Sequence, residues 1–345
     1  MLAGLHSSFL TPHYPLTFTM KLSHIGKGER VVGCLWKLIK WVLYLVVIGC
    51  IAAGCYAGNM AYKELFYAPW DRILGIENHR TDLKQIQGLE DRYGWQRVTV
   101  PSADGTTLRG TYIEDAGNTR KAVILLHGLY QNRSMCVPYI DIYRQMGYNV
   151  LLIDLRGHGG SGGERTDWGV HDIEDLDSWV DFLKAKNPAM KIGMHGISLG
   201  AAMALLYAGS DQGKDISFYV ADSSYGNLME LGRDKLMTYT GDERLVLGMD
   251  ILNPFFQAAL FYHDHKLLCH LDPLYQVKHM TSPVLFLHGG NDTLVPSTVA
   301  EELLEASGSS NKSLYIFQGA AHTMEMATNG PAYREHVQNF VRQIP

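Results

Sequence analysis

The chain has 345 residues, 46% of them hydrophobic and 19% charged, with 35 glycines and five cysteines, a balance that excludes a disordered, collagen-like or disulfide-scaffold protein. The net charge of −5 is unevenly spread: residues 1–40 carry +4 (Lys21, Lys27, Arg30, Lys37 and Lys40 against Glu29), and the other 305 residues carry 25 basic against 34 acidic side chains. A basic head on an acidic body argues against a nucleic-acid partner and for a membrane.

The first element is an uncharged run of 22 residues, 41–62. As a helix it reaches about 33 Å at 1.5 Å per residue, enough for a hydrocarbon layer of about 30 Å. Trp36, Trp41 and Tyr44 flank its start and Tyr56, Tyr62, Phe66, Tyr67 and Trp70 its end, where amphipathic rings favour the headgroup level. The preceding lysines and arginine put residues 1–40 in the cytoplasm and the rest across the membrane. Three other readings remain open. These are a signal cut near Ala52-Ala53-Gly54, a lipoprotein site at Val47-Ile48-Gly49-Cys50, and a buried core helix. Met20 is an alternative start to Met1. Of the body's two cysteines, Cys136 and Cys269, free thiols are expected rather than a bridge, and no paired Cys-x-x-Cys spacing suggests zinc.

After a linker over 63–92, alternation over 95–100, a turn at Ala103-Asp104-Gly105 and a return over 107–113 predict an antiparallel hairpin. Short apolar runs then alternate with helical patterns: strands over 122–126, 149–154, 191–195, 218–222, 284–288 and 314–317, and helices over 134–145, 175–185, 199–208 and 332–343. That rhythm means a parallel sheet covered on both faces. One interval breaks it. The stretch from 223 to 280 reads as two or three amphipathic helices, with a start signal at Asn253-Pro254. So long an excursion at the carboxyl edge of the sheet, where ligands of open α/β sheets bind, is expected to form a cap.

Gly196-Ile197-Ser198-Leu199-Gly200 lies between a strand and an Ala-rich helix. Gly196 and Gly200 suit a turn too tight for side chains, which holds the Ser198 hydroxyl exposed. A serine needs a base to take its proton and a carboxylate to orient that base. His322, between the last strand and the last helix, is the expected base, and Asp292, in the loop His288-Gly-Gly-Asn-Asp292, the expected acid. Asp154 and Asp222 also end strands and are alternative acids. His195 and His288 precede their loops on buried strands and read as packing residues or as supports for the residues at the site. Backbone N–H groups of Leu129, after His127-Gly128, and of Leu199 are the expected oxyanion donors.

These residues, with the loop Asp154-Leu-Arg-Gly-His-Gly-Gly-Ser161, resemble the α/β-hydrolase superfamily in its lipase, esterase and serine-aminopeptidase-like branch, small membrane-anchored bacterial hydrolases in particular. The resemblance covers residues 93–345 and implies an eight-stranded, mostly parallel sheet with helices on both faces, an acyl-enzyme, and no cofactor or metal. The expected substrate is a small acyl ester or lipid-like molecule. An aminopeptidase or amidase using the same residues is the alternative, for which an acidic patch drawn from Glu230, Asp234, Asp242 and Glu243 would hold a substrate amine. A non-catalytic binding protein is the third reading, and the oligomeric state is left open.

Overall fold

The computed structural model describes residues 25–74, 82–117 and 119–344. Most of the expected basic tail, the choice between Met1 and Met20, and residues 75–81 of the expected linker lie outside them. The chain divides into two compact units, Met1–Ala53 and Gly54–Pro345. Helix α1, Ile25–Tyr67, runs through both. From Val32 onward it is long and apolar enough to cross a membrane, with a mean hydropathy of 2.2 in its most apolar window. A signal sequence near the amino terminus meets the same criterion. In the first unit Trp36, Trp41, Leu45 and Ile48 are exposed.

The linker expected over 63–92 is instead folded into the second unit. α1 continues to Tyr67, and a single turn, α2 (Trp70–Ile73), and α3 (Leu83–Tyr93) follow. Asp82 caps α3 by accepting from the Lys84 amide, and Gly94 ends it in the left-handed conformation, the usual stop signal. Glu90 of α3 is buried and pairs with Arg133 at 3.0 Å and with Arg97 at 2.6 Å. Residues of the expected span fold here too. A side chain at Gly58 would overlap the backbone of Phe255, and the Tyr62 hydroxyl donates to Asp264 at 2.8 Å.

β1 (Gln96–Pro101) and β2 (Thr107–Ile113) form the expected hairpin, Val98 opposite Gly110. β3 (Lys121–Leu126) leads into a 3-10 turn, Arg133–Tyr139, and only then into α4, Ile140–Arg144. The α-helix expected over 134–145 is broken this way because Pro138 sits within its first turns, where it offers no N–H. Next come β4 (Asn149–Ile153), α5 (Asp172–Lys186), β5 (Lys191–Ile197), α6 (Leu199–Ala208) and β6 (Phe218–Asp222). The excursion after β6 holds α7 (Leu228–Thr240), α8 (Glu243–Asp264) and a short α9 (Pro273–Gln276). α8 does not begin at Asn253-Pro254. Asp242 caps it by accepting from the Arg244 amide, and Pro254 lies inside, at the cost of one helical hydrogen bond. β7 (Val284–Gly289), α10 (Thr298–Ala306), β8 (Lys312–Phe317), a turn α11 (Glu325–Thr328) and α12 (Gly330–Arg342) complete the unit. α10 has no counterpart among the expected elements.

The eight strands order as β1-β2-β4-β3-β5-β6-β7-β8, parallel from β4 to β8. Because successive side chains point to opposite faces, β3 sends Ala122, Ile124 and Leu126 into one core and Val123 and Leu125 into the other. Its continuous apolar run follows from burial on both sides. The same parallel order brings the carboxyl ends of β3, β5, β7 and β8 to one edge, where their loops meet.

Candidate active site

Register fixes where that edge lies. Leu126 pairs with Gly196, and Ile197 with Asp222, so the chain leaves β3, β5 and β6 at one level. Ser198 turns from β5 into α6 at φ 54° and ψ −114°, a strained conformation for a residue with a side chain. Two close approaches enforce it. A Cβ at Gly196 would collide with the carbonyl of Gly200, and one at Gly200 would lie 2.5 Å from the Leu126 carbonyl oxygen and 2.6 Å from that of His127. Every residue of α6 is buried, which explains why the helix is apolar all round.

The loops after β7 and β8 complete the arrangement. Ser198 Oγ lies 2.8 Å from His322 Nε2, and His322 Nδ1 lies 2.7 Å from Asp292 Oδ2. With the carboxylate accepting, Nδ1 carries the proton and Nε2 is left free to accept from the serine. Asp292 Oδ1 accepts from the amides of Leu294 at 2.9 Å and Val295 at 2.8 Å. Burial alone would raise the Asp292 pKa, but hydrogen bonds from His288 and His322 outweigh it and hold the carboxyl well below its ordinary range. Ser198, His322, Leu129 and Leu199 all line one cavity of about 270 Å³. The Leu199 amide opens α6, where backbone N–H groups have no partner within the helix.

The alternative acids lie elsewhere. Asp154 is buried in an ion pair with Arg133, accepts from the Arg133 amide at 2.8 Å, and also holds the Gly160 amide at 2.8 Å. Asp222 accepts from the Tyr333 hydroxyl at 2.7 Å, and burial together with nearby Glu325 pushes its pKa well up. Tyr333 also takes a hydrogen bond from His195 Nε2 at 3.0 Å, and Tyr143 donates to His195 Nδ1 at 2.9 Å. His195 is thereby a buried packing residue. Of the acidic patch, Glu230 and Asp234 line a smaller cavity of about 170 Å³ with Glu302, beside that of Ser198. Asp242 and Glu243 line neither. Cys136 and Cys269 are free thiols.

Ser223 and Glu325 had no local signal, whereas His288 and His127 belong to loops that the sequence already singles out. His288, expected either to pack or to support the site, does the latter: its Nε2 lies 3.2 Å from Asp292 Oδ2 and 2.8 Å from the Val295 carbonyl. Ser223 donates to buried Glu325 at 2.7 Å and accepts from the Thr323 amide at 3.3 Å, tying down the loop that carries His322. His127 donates from Nδ1 to its neighbour's carbonyl, Gly128 O, at 2.7 Å and accepts from the Leu155 amide at 3.0 Å, which secures the loop leading to Leu129.

Comparisons with known proteins agree with this architecture. The family model described as serine aminopeptidase, S33, matches residues 117–224 and 268–328, on either side of α7 and α8. The uncharacterised protein YqkD of Bacillus subtilis (strain 168) is 33% identical over 245 residues, 70% of this chain and 77% of its own. The uncharacterised membrane protein YNL320W of Saccharomyces cerevisiae is 26% identical over 315 residues, 89% of this chain and 98% of its own. Among solved structures, the Pyrococcus furiosus esterase Pf2001 is 26% identical with a TM-score of 0.59, covering 74% of this chain and 95% of that one. With a relative one-third identical along most of its length and the sheet order above, the chain belongs to the α/β-hydrolase superfamily, in the branch whose model is described as serine aminopeptidase, S33.

Proposed function

We propose that this protein is a serine hydrolase that cleaves carboxylic (acyl) esters. His322 takes the proton of Ser198 as the oxygen attacks the acyl carbon, the amides of Leu129 and Leu199 stabilise the oxyanion, and Asp292 keeps the imidazole in the accepting tautomer. The alcohol leaves with the proton from His322, and water repeats the attack on the acyl-enzyme with His322 again as base. The observation that carries this reading is the unbroken run of hydrogen bonds from Ser198 Oγ through His322 to Asp292 at the wall of a cavity. The esterase of similar structure supports it. α7 acts as a cap over the site, since Tyr225, just ahead of it, and Leu231, within it, line the Ser198 cavity. Ser198→Ala is expected to abolish hydrolysis of p-nitrophenyl acetate and labelling by a fluorophosphonate. Retention of either refutes the assignment.

A second reading, cleavage of aminoacyl amides by the same serine, draws on Glu230, Asp234 and Glu302 in the adjoining cavity. Ester cleavage is preferred because no carboxylate is among the described residues lining the Ser198 cavity itself. Turnover of aminoacyl amides faster than acyl esters would reverse that order.

α1 serves as an uncleaved anchor with the hydrolase unit outside the cytoplasm, a reading supported by the basic head and the apolar length. Protection of the hydrolase unit from protease added to intact cells would overturn the orientation.

A further inference from the structure

A second cavity, of about 450 Å³, lies against the first. Its wall is formed by Ala61, Leu65 and Trp70 from the end of α1 and the turn after it, by Trp168, and by Leu236 and Leu252 from α7 and α8. Leu74 and Leu231 line both this cavity and that of Ser198. Glu64, Arg244 and Asn253 are its polar side chains. Protein interiors are close-packed, and a space with so few polar groups offers water little to bind. Its volume falls in the range of about 300–1,000 Å³ typical of small-molecule sites.

Its position selects the ligand. A molecule with its reacting carbon at Ser198 and a tail past Leu74 and Leu231 must present a long, apolar, flexible tail. The wall residue Ala61 belongs to the last turn of the apolar run expected over 41–62. Across the cavity, α8 exposes Leu247, Ile251, Phe261 and Tyr262, Ile251 at 62% and Tyr262 at 78%, and is itself apolar enough to pass as a membrane segment. Two helices suited to lipid therefore flank the space. A chain leaving the bilayer beside them would enter the cavity without crossing water.

We propose that this cavity, walled by the end of the membrane-length helix and by α7 and α8, is the acyl-chain site, taking the hydrocarbon chain of a long-chain ester that enters from the bilayer. The proposal rests on the ester-hydrolase reading above. It makes the helix that anchors the protein a part of its substrate site.

The test uses the full-length protein in detergent micelles and in lipid vesicles. Along p-nitrophenyl esters from acetate to dodecanoate, kcat/KM is expected to rise by up to about fourfold per methylene, the equivalent of about 0.8 kcal/mol of burial. Gly248 lines the cavity, and a Cβ there meets nothing within 4 Å, so Gly248→Phe places its ring in the space. The dodecanoate-to-acetate ratio of kcat/KM is expected to fall at least tenfold in that variant; an unchanged ratio overturns the proposal. A readout free of catalysis uses Ser198→Ala, in which dibromostearate is expected to give a saturable component of tryptophan quenching through Trp70 and Trp168. Addition of Gly248→Phe should remove that component, and its absence in Ser198→Ala alone overturns the site. Quenching without any ester hydrolysis would overturn the hydrolase reading and leave an apolar-chain site; hydrolysis with a flat chain-length profile would overturn this inference alone. Equal dodecanoate-ester turnover from phosphatidylcholine vesicles and from free solution would overturn entry from the bilayer.

Discussion

Asp292→Asn separates the electrostatic role of the carboxylate from its shape. In the native protein Oδ2 faces His322 Nδ1 at 2.7 Å and His288 Nε2 at 3.2 Å, while Oδ1 holds the Leu294 and Val295 amides. The substitution keeps the oxygen that accepts from those amides, so the loop retains its geometry. It replaces Oδ2 by an NH2 group aimed at two imidazoles. His322 must then turn a lone pair on Nδ1 toward the amide and place its proton on Nε2, 2.8 Å from Ser198 Oγ. In that tautomer it cannot accept the serine proton. A wrong tautomer of this kind costs about 10⁴-fold in kcat, about 5.4 kcal/mol at 1.36 kcal/mol per decade. The assay is steady-state hydrolysis of p-nitrophenyl acetate, with the fluorophosphonate labelling rate as a check on the first step alone. KM is expected to stay within about threefold, because the substrate does not touch Asp292 in this scheme. A variant with a native circular dichroism spectrum and less than a tenfold fall in kcat would refute the role assigned to Asp292.

Two further outcomes bear on the fold. Glu90→Ala leaves the buried Arg133 with Asp154 but without its second carboxylate, and breaking a buried pair costs about 3–5 kcal/mol; urea denaturation showing a loss under about 1 kcal/mol would mean that α3 is dispensable to the hydrolase unit. Burial pushes the pKa of His127 down to about 4 and those of His158 and His195 to about 3, against 6.5 for an ordinary histidine. The unfolded chain thus binds these protons first as pH falls, so the contribution of these histidines to stability is complete above pH 6.5 and drops below it by about 1.4 kcal/mol per pH unit for each until its folded pKa is reached. Between pH 7.5 and pH 5 the urea midpoint of the native protein is expected to fall more, or rise less, than that of His195→Gln; equal pH dependence in the two would contradict that burial.

The strands, their parallel order and the turn around Ser198 were legible because each is written locally. Apolar runs of strand length alternate with helical spacing, and Gly196 and Gly200 sit at the two places where the turn admits no side chain. The chain order of Ser198, Asp292 and His322 also placed all three in loops at one edge, since parallel strands send successive carboxyl ends the same way. Near a proline the local signals misled. Pro138 turned the start of an expected α-helix into a 3-10 turn, and Asn253-Pro254 resembled a helix start in the middle of α8.

What only the tertiary structure decided depends on partners far apart in sequence. Nothing near Glu90 announces Arg133, and nothing near Gly58 announces Phe255, yet these contacts draw the expected linker and the end of the apolar run into the hydrolase unit. Asp154, Asp222 and Asp292 each end or follow a strand, and only the positions of Arg133, Tyr333 and His322 tell them apart. The cavity beneath α7 and α8 has no local signature at all. Periodicity and turn chemistry are properties of neighbouring residues, whereas a cavity or a buried ion pair exists only once distant segments have packed.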